Sequence, residues 1–259
     1  MAQTSAGRSV RCDLDPQTHV GTVEIQRPPN NFLNIEVLRD IVAALAGLDE
    51  DPGCRAIVLR AAGKHFCAGR DFSAPRLPGD ESANVYATAG QLNELRTPWI
   101  AVVQGAAIGA GFGLALCADF RICSPRAYFT ANFIQLGLHA GFGTTVTLPR
   151  LVGVQKATEL LYSGRKVGGA EAAALGLADR LADEEALTEE ALAFAAGFAA
   201  APPLAVQAVR ATMRAGLAEQ FRAATKHEVA EQARLTGTAD FREAAAAARE
   251  RRPGNYTGS

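Results

Sequence analysis

The segment that most constrains the fold runs from Trp99 to Cys123 and reads WIAVVQGAAIGAGFGLALCADFRIC. Its first five residues are apolar, which is typical of a short buried strand. Gly105 ends that strand, small residues from Ala106 to Gly111 predict a turn, and the apolar run from Phe112 to Cys117 predicts a helix. A helix that begins directly after such a turn offers unsatisfied backbone N–H groups and the positive end of its dipole, which together suit a negatively charged oxygen.

This segment has two other possible interpretations. A dinucleotide-binding fingerprint would need a third glycine at position 114, which is Leu114, and the chain contains no G-x-x-x-x-G-K-[ST] loop for phosphates. Close packing of a glycine-rich helix on a sheet stays open as long as this segment is considered alone.

Two further segments make the pattern specific. The strand predicted at Ala56–Leu59 leads into Phe66-Cys67-Ala68-Gly69-Arg70-Asp71, and the segment from Leu148 to Ala178 carries L-P-R-L-V-G followed by A-T-E-L-L and G-L-A. F-C-A-G-x-D after a strand, followed about forty residues later by a G-A-x-x-G-x-G turn, resembles the crotonase superfamily, the enoyl-CoA hydratase/isomerase family. The resemblance extends from Gly21 to Arg252.

The order of the predicted elements favours a mixed α/β fold. A strand at Val20–Gln26, a helix that begins after Asn34 and the strand at Ala56–Leu59 predict a parallel pair of strands, and the chain after Leu148 is almost wholly helical in pattern. The resemblance implies a crotonase-like spiral of ββα repeats followed by a C-terminal helical region. We accordingly divide the chain into a core at 1–195 and a helical oligomerisation region at 196–259, and the family resemblance implies a homotrimer or a dimer of trimers.

Composition narrows the possible partners. Lys and Arg number 26 and Asp and Glu number 27, so no excess of positive charge attracts nucleic acid or an anionic membrane. The five cysteines include no C-x-x-C pair, which gives no support to a metal or redox site. No apolar run reaches the roughly 20 residues of a membrane span, and the N-terminus has no signal-peptide pattern. We therefore expect a cytoplasmic protein with no nucleic-acid partner, no membrane partner and no metal.

The resemblance also implies a substrate. In this family an acyl-CoA thioester lies with its carbonyl oxygen between two backbone N–H groups, which the motif match assigns to Arg70 and Ala110. Coenzyme A is then part of the substrate, and no separately bound cofactor is expected. The residues expected to contact the substrate are Lys64, Ala68, Gly69, Arg70, Asp71, Phe72, Gly109, Ala110 and Phe133. Lys64 and Arg27 are candidates for the phosphates of coenzyme A, with a solvated surface charge as the alternative for both.

The acid and base of the family's hydratases are missing from this sequence. The match places their two glutamates at Gly113 and Phe133, and neither residue transfers protons. Because addition of water to a double bond needs both a base and an acid, ordinary hydration is not expected. His139 is the candidate for a displaced acid or base, with Tyr86, Glu81 and Asp80 as further candidates. The nucleophilic aspartate of the family's dehalogenase branch would fall at Gly141, so that chemistry has no support.

The sequence leaves three functions open. The first is an enzyme that stabilises an enolate of an acyl-CoA without ordinary hydration, with an apolar acyl pocket formed by Phe133, Ile134, Leu136 and Phe142. The second is a non-catalytic acyl-CoA-binding or structural member of the family. The third is an enoyl-CoA hydratase or isomerase that uses a displaced group such as His139. The loop from Asp71 to Ser82, rich in proline, serine and charge, is expected to cover the site.

Overall fold

Strands and helices alternate over most of the chain. The computed structural model describes residues 9–71, 77–79 and 81–259. The strands are β1 (Val10–Asp15), β2 (Val20–Ile25), β3 (Ala56–Ala61), β4 (Trp99–Val103), β5 (Ala106–Ile108), β6 (Phe120–Cys123), β7 (Tyr128–Thr130), β8 (Val167–Gly168) and β9 (Arg180–Leu181). The helices are α1 (Ile35–Glu50), α2 (Ser82–Gly90), α3 (Ala110–Cys117), α4 (Thr144–Ser163), α5 (Gly169–Ala174), α6 (Leu187–Ala199), α7 (Pro203–Met213), α8 (Leu217–Leu235) and α9 (Ala239–Glu250). Short 3-10 turns lie at Gln91–Asn93 and Ile134–Leu136.

The strands form two sheets. The larger sheet has the order β1-β2-β3-β4-β6-β9 and is parallel except for β1, which pairs antiparallel with β2. The smaller sheet has the order β5-β7-β8. The predicted parallel pair is confirmed, since β2 and β3 lie side by side with α1 between them in the chain. Asn34 begins α1 as expected, because its side chain accepts a hydrogen bond from the N–H of Val37 at 2.8 Å.

The chain repeatedly passes from the larger sheet to the smaller one and then into a helix. It does so through β4, β5 and α3, and again through β6, β7 and α4. After β3 it follows a similar path, because Cys67 forms an isolated parallel bridge with Ala107 before α2 begins. The mixed α/β fold with C-terminal helices is thereby confirmed.

One local prediction is wrong. Ala106–Ile108, predicted as part of a turn, is the strand β5, and α3 begins at Ala110 rather than at Phe112. The reason is pairing, which sequence pattern does not show: β5 pairs with β7 in parallel and also with the bridge residue Cys67.

The larger sheet is covered on both faces. The central strand β4 and the first four residues of β3 are continuously apolar and buried, as expected for parallel strands that are covered on both sides. One layer of buried side chains joins Val58, Ile100 and Ile122 of the sheet to α6. Residue 195 lies inside α6, so the boundary drawn at 195/196 crosses a helix that packs on the sheet. The division into two domains stays a prediction.

Along the described part of the chain, no single helix combines the length and the apolar character needed to cross a membrane. Helices α6 and α7 meet that requirement only as a pair, and they are bent by 103° relative to each other.

Candidate active site

Two loops lie side by side next to the strand β5. The loop Phe66–Asp71 follows β3, and the turn at Gly109 joins β5 to α3. The N–H of Cys67 donates to the carbonyl of Ala106 at 3.0 Å, and the N–H of Ile108 donates to the carbonyl of Cys67 at 3.0 Å. The structure thus brings together the two motifs that the sequence separates by about forty residues.

Glycine is required where the two loops touch. Gly69 has φ +79°, and a Cβ on it would lie 2.6 Å from the carbonyl oxygen of Ile108. A Cβ on Gly111 would lie 2.2 Å from the carbonyl oxygen of Cys67. Both contacts are to backbone atoms held by the sheet pairing, so neither loop can take a side chain there without moving. Cys67 itself is fully buried, and burial raises the pKa of its thiol to about 12, which keeps it unreactive.

Helix α3 begins next to this contact, and no side chain among the described residues caps its first N–H groups. Gly109, at φ +53°, precedes the helix and supplies no side-chain cap, and the N–H of Gly113 makes the first ladder bond, to the carbonyl of Gly109 at 2.9 Å. A Cβ built on Gly69 would lie 3.8 Å from the backbone nitrogen of Ala110. The loop that carries Arg70 and the start of α3 are therefore neighbours, with the positive end of the helix dipole at their junction.

A buried asparagine, which the sequence did not reveal as important, supports the first loop. Asn31 is completely buried at φ +48°, and its side-chain amide donates to the carbonyls of Ala62 at 2.8 Å and His65 at 2.6 Å. The adjacent backbone adds two bonds, from the N–H of Ala68 to the carbonyl of Asn30 and from the N–H of Leu33 to the carbonyl of Gly69. The turn after β2 is thus the support of the A-G-R-D loop, and an asparagine in a proline-rich turn was the available signal.

The two positions that lack glutamates flank the same turn. Position 113 lies one helical turn beyond Gly109, so a side chain there would point back towards the start of α3. The ring of Phe133 lies on another side, where its tip would be 3.9 Å from a Cβ on Gly109. Asn132 approaches the same point, with its Oδ1 at 3.1 Å. Both positions are near the α3 donors, and neither carries a group that transfers protons.

The apolar pocket predicted around Phe133 is only partly as expected. Phe142 is completely buried and Phe133 and Leu136 are half-buried. Ile134 does not line a buried space in the described chain, since it is 49% exposed and approaches Gly164 instead. It occupies the 3-10 turn after Phe133, and the tightness of that turn directs it outwards.

His139 lies on the chain just before the turn at Gly141. Its Nδ1 is 2.6 Å from the carbonyl oxygen of Ala140, and its ring meets the ring of His227 of α8 edge-on at 5.7 Å between centroids. Its own carbonyl accepts a hydrogen bond from the side-chain amide of Gln232 at 3.0 Å. The contact at Nδ1 leaves Nε2 as the nitrogen that could exchange a proton with a ligand.

Tyr86 of α2 reaches the same turn. Its hydroxyl donates to the side-chain oxygen of Gln232 at 3.1 Å, and a Cβ on Gly141 would lie 2.0 Å from that hydroxyl. Burial raises the pKa of Tyr86 to about 12, so the hydroxyl stays protonated at neutral pH. The glycine at position 141 therefore makes room for Tyr86.

A buried carboxylate, missed by sequence reasoning, also contacts this turn. Glu228 of α8 is 1% exposed and accepts hydrogen bonds from the N–H of Gly143 at 2.9 Å and from the hydroxyl of Thr145 at 2.7 Å. It belongs to the buried stripe of α8 that also contains Phe221, Thr225 and Gln232. The helical spacing of these residues was the signal that could have identified it.

Replacing Glu228 by glutamine is expected to change how stability depends on pH. Burial raises the pKa of Glu228 above the ordinary value of about 4.3, although the two hydrogen bonds and His139 oppose the shift. The folded state therefore binds this proton more tightly than the unfolded state does, and the contribution of Glu228 to stability declines as pH rises from about 4.3 through the raised pKa. Urea unfolding across this range should show the wild type losing stability relative to Glu228→Gln.

Glu231, on the same helix, is the matched control. A hydrogen bond from Arg234 lowers the pKa of Glu231, so its contribution is present above the ordinary pKa and is lost as pH falls. Glu231→Gln should therefore change the pH dependence with the opposite sign. Equal slopes for the two variants would contradict the assignment of a raised pKa to Glu228.

The remaining candidate residues lie around this centre or outside the described chain. Lys64 and Arg27 are exposed, Ala68, Arg70 and Asp71 are half-buried, and Gly109 is buried. Glu81 is exposed and accepts a hydrogen bond from the side chain of Asn84 at 2.9 Å. Phe72 and Asp80 lie outside the described residues, as does half of the loop expected to cover the site (positions 72–76 and 80).

Comparison with known proteins identifies a family model, sequence relatives and a solved structure whose descriptions are consistent with one another. A family model described as enoyl-CoA hydratase/isomerase matches residues 15–259. A probable enoyl-CoA hydratase of Mycobacterium tuberculosis is 38% identical over 255 residues, covering 92% of this chain and 97% of the relative. The crotonyl-CoA hydratase of Syntrophomonas wolfei is 30% identical over 250 residues, covering 94% of this chain and 96% of the relative. A crystal structure of an enoyl-CoA hydratase/isomerase from Pseudoalteromonas atlantica superimposes with a TM-score of 0.86 at 29% identity, covering 96% of this chain and 100% of that one.

Proposed function

The chain belongs to the enoyl-CoA hydratase/isomerase family, and we propose that it binds an acyl-CoA thioester with the carbonyl oxygen between the N–H groups of Arg70 and Ala110. The observation that carries the proposal is the contact between the Gly69 loop and the uncapped start of α3. When an enolate or a tetrahedral intermediate forms, negative charge develops on that oxygen, and fixed backbone donors stabilise it without reorganising.

Exposed positive charge near the first loop supports recognition of the coenzyme. Lys64 is exposed and lies between Gly63 and His65. The side-chain amide of Gln104 fixes this segment by donating hydrogen bonds to the carbonyls of Gly63 at 3.2 Å and His65 at 3.1 Å. Arg27 is exposed on the neighbouring turn. Both side chains can reach phosphate groups at the surface while the thioester enters between the loops.

The reaction that we propose is enolate chemistry other than ordinary hydration. Gly113 and Phe133 flank the start of α3, where the family resemblance puts the two glutamates, and neither residue can activate water or protonate the α-carbon. The aromatic ring of Phe133 beside the turn also favours an apolar acyl group, either aliphatic or aromatic.

Crotonyl-CoA tests this proposal directly. We expect the protein to bind it while hydrating it at least about 10²-fold more slowly than a two-glutamate member of the family, because each missing proton-transfer group contributes at least that factor. Loss of the enoyl thioester absorbance measures hydration, and calorimetry measures binding. Hydration at the rate of a two-glutamate relative would contradict the proposal, and binding without turnover of any acyl-CoA would favour a non-catalytic member of the family.

His139 carries a second candidate function, a hydratase or isomerase with a displaced acid or base. The contact at Nδ1 that leaves Nε2 for proton exchange is the observation in its favour. Under this alternative, His139→Ala abolishes turnover and keeps acyl-CoA binding. His227→Ala is the matched control, because it removes the neighbouring exposed ring and leaves His139 in place.

For the assembly, we propose a homotrimer or a dimer of trimers in the cytoplasm, with contacts made by the helical region at 196–259. The family resemblance and the helical character of α7, α8 and α9 support this. Light scattering coupled to size exclusion gives the mass of the assembly, and a monomer at micromolar concentration would contradict it.

A further inference from the structure

We propose that Phe142 determines the specificity of the acyl site, because its ring occupies the space of a side chain at position 113 and closes that wall to water. The consequence for the substrate rests on the proposed function. The structural part of the proposal is that side chains at positions 113 and 142 compete for the same space. This part does not depend on the proposed function.

The competition follows from the geometry at Gly113. A Cβ on Gly113 would lie 2.6 Å from Cβ, 2.6 Å from Cδ1 and 2.7 Å from Cγ of Phe142. One of these atoms is the Phe142 Cβ, which cannot move without its backbone. Since a side chain at 113 would point back towards Ala110, the ring of Phe142 lies where a group acting on the thioester would stand.

The contacts around Phe142 hold it in this position although its backbone conformation is strained. It has φ +61°, a left-handed conformation that a bulky side chain rarely adopts, and it is completely buried. The ring of Tyr86 packs edge-on against it at 6.0 Å between centroids, and Glu228 binds the next residue through the N–H of Gly143. Such strain persists only where the surroundings impose it, and it is concentrated at functional sites.

As a consequence, the surface that Phe142 forms beside the N–H groups of α3 is apolar and excludes water. With the ring of Phe142 against Gly113 there is no room for a carboxylate or for a water molecule at that wall, and Phe133 lies near the same turn. The site should therefore accept an apolar acyl group and exclude water from the carbons next to the thioester. Removing the ring should admit a bulkier acyl group, since it would leave the volume of the ring open between Gly113 and Tyr86.

The structural part is tested by a double-mutant cycle on thermal unfolding. Gly197 lies inside α6, and no described atom outside the backbone of its own helix lies within 4 Å of an added Cβ, so Gly197→Ala should raise the midpoint by about 2–4 °C through helix propensity alone. Gly113→Ala should lower the midpoint instead. In a Phe142→Gly background, which also permits the positive φ, Gly113→Ala should no longer lower it. Where Phe142→Gly does not fold, Phe142→Ala is used instead; it removes two of the three close contacts and keeps the one to Cβ, so Gly113→Ala should lower the midpoint less than it does in the wild type. A stabilising Gly113→Ala in the wild type would overturn the proposal.

The substrate part is tested by calorimetric titration with butyryl-CoA and benzoyl-CoA. Phe142→Ala should shift the ratio of the two affinities towards benzoyl-CoA by about tenfold, roughly the effect of one or two methylene groups in an apolar pocket. If both ligands bind the wild type and the ratio does not shift, the specificity role of Phe142 is wrong and the proposed function stands. If neither ligand binds the wild type, the proposed function itself fails, and the specificity role fails with it.

Discussion

Gly69→Ala is expected to lower the free energy of unfolding by about 2–4 kcal/mol and to weaken acyl-CoA binding at least about tenfold. The residue has φ +79°, and the new Cβ would lie 2.6 Å from the carbonyl oxygen of Ile108. That oxygen belongs to β5, which pairs with β7, so the A-G-R-D loop has to move instead. Because Arg70 follows directly, its N–H would move away from that of Ala110. Chemical denaturation and calorimetric titration measure the two effects.

Gly153→Ala is the control that separates the cost of backbone strain at positive φ from the cost of a clash between the added Cβ and neighbouring atoms. Gly153 has φ +76°, close to that of Gly69, but none of the atoms that the structure describes in neighbouring segments lies within 4 Å of an added Cβ. This variant should lose about 1–2 kcal/mol from backbone strain alone and should keep its affinity for acyl-CoA. If Gly69→Ala and Gly153→Ala lost the same stability and both kept binding, the contact between the two loops would not be what forms the site.

Ala110→Pro is expected to reduce turnover of an acyl-CoA substrate by about 10²–10³-fold with a change of only a few degrees in the unfolding midpoint. Proline removes the N–H of residue 110, which we propose as one of the two donors. Ala110 is the first residue of α3, a position where proline is well tolerated. Turnover at saturating substrate measures the effect, and circular dichroism checks the helix.

Ala110→Gly is the matched control, because it changes the side chain and keeps the N–H. Its turnover should stay within about threefold of the wild type, a difference of less than 1 kcal/mol in transition-state stabilisation. A loss as large as that of Ala110→Pro would show that the turn needs the alanine side chain rather than the donor.

Local pattern was sufficient for the elements that are specified by their own residues. Asn34 begins α1 as expected, and the apolar run Trp99–Val103 is the strand β4. The three motifs of the sequence also identified the family correctly. Each of these signals depends on neighbours along the chain, which is what a single sequence displays.

What the sequence did not show depends on contacts between distant segments. Ala106–Ile108 is a strand because β7 and Cys67 lie beside it, not because of its own composition. Glu228 contacts the turn at Gly143 across 85 positions of sequence. Similarly, the sequence shows at Gly113 only that a side chain is missing. The structure shows that Phe142 occupies the space that such a side chain would take. The arrangement of a site is non-local, so motif spacing does not show which side chains form its walls.

The central claim is that backbone donors hold a thioester oxygen, and the most direct measurement compares butyryl-CoA with S-butyl-CoA, a thioether that differs by the absence of the carbonyl. Both ligands would be titrated calorimetrically into the wild type and into Ala110→Pro. We predict that the variant loses about 5–10-fold in affinity for butyryl-CoA, the value of one hydrogen bond, and nothing for S-butyl-CoA. Equal losses for the two ligands, or no loss for either, would contradict the claim that the N–H of Ala110 binds the carbonyl oxygen.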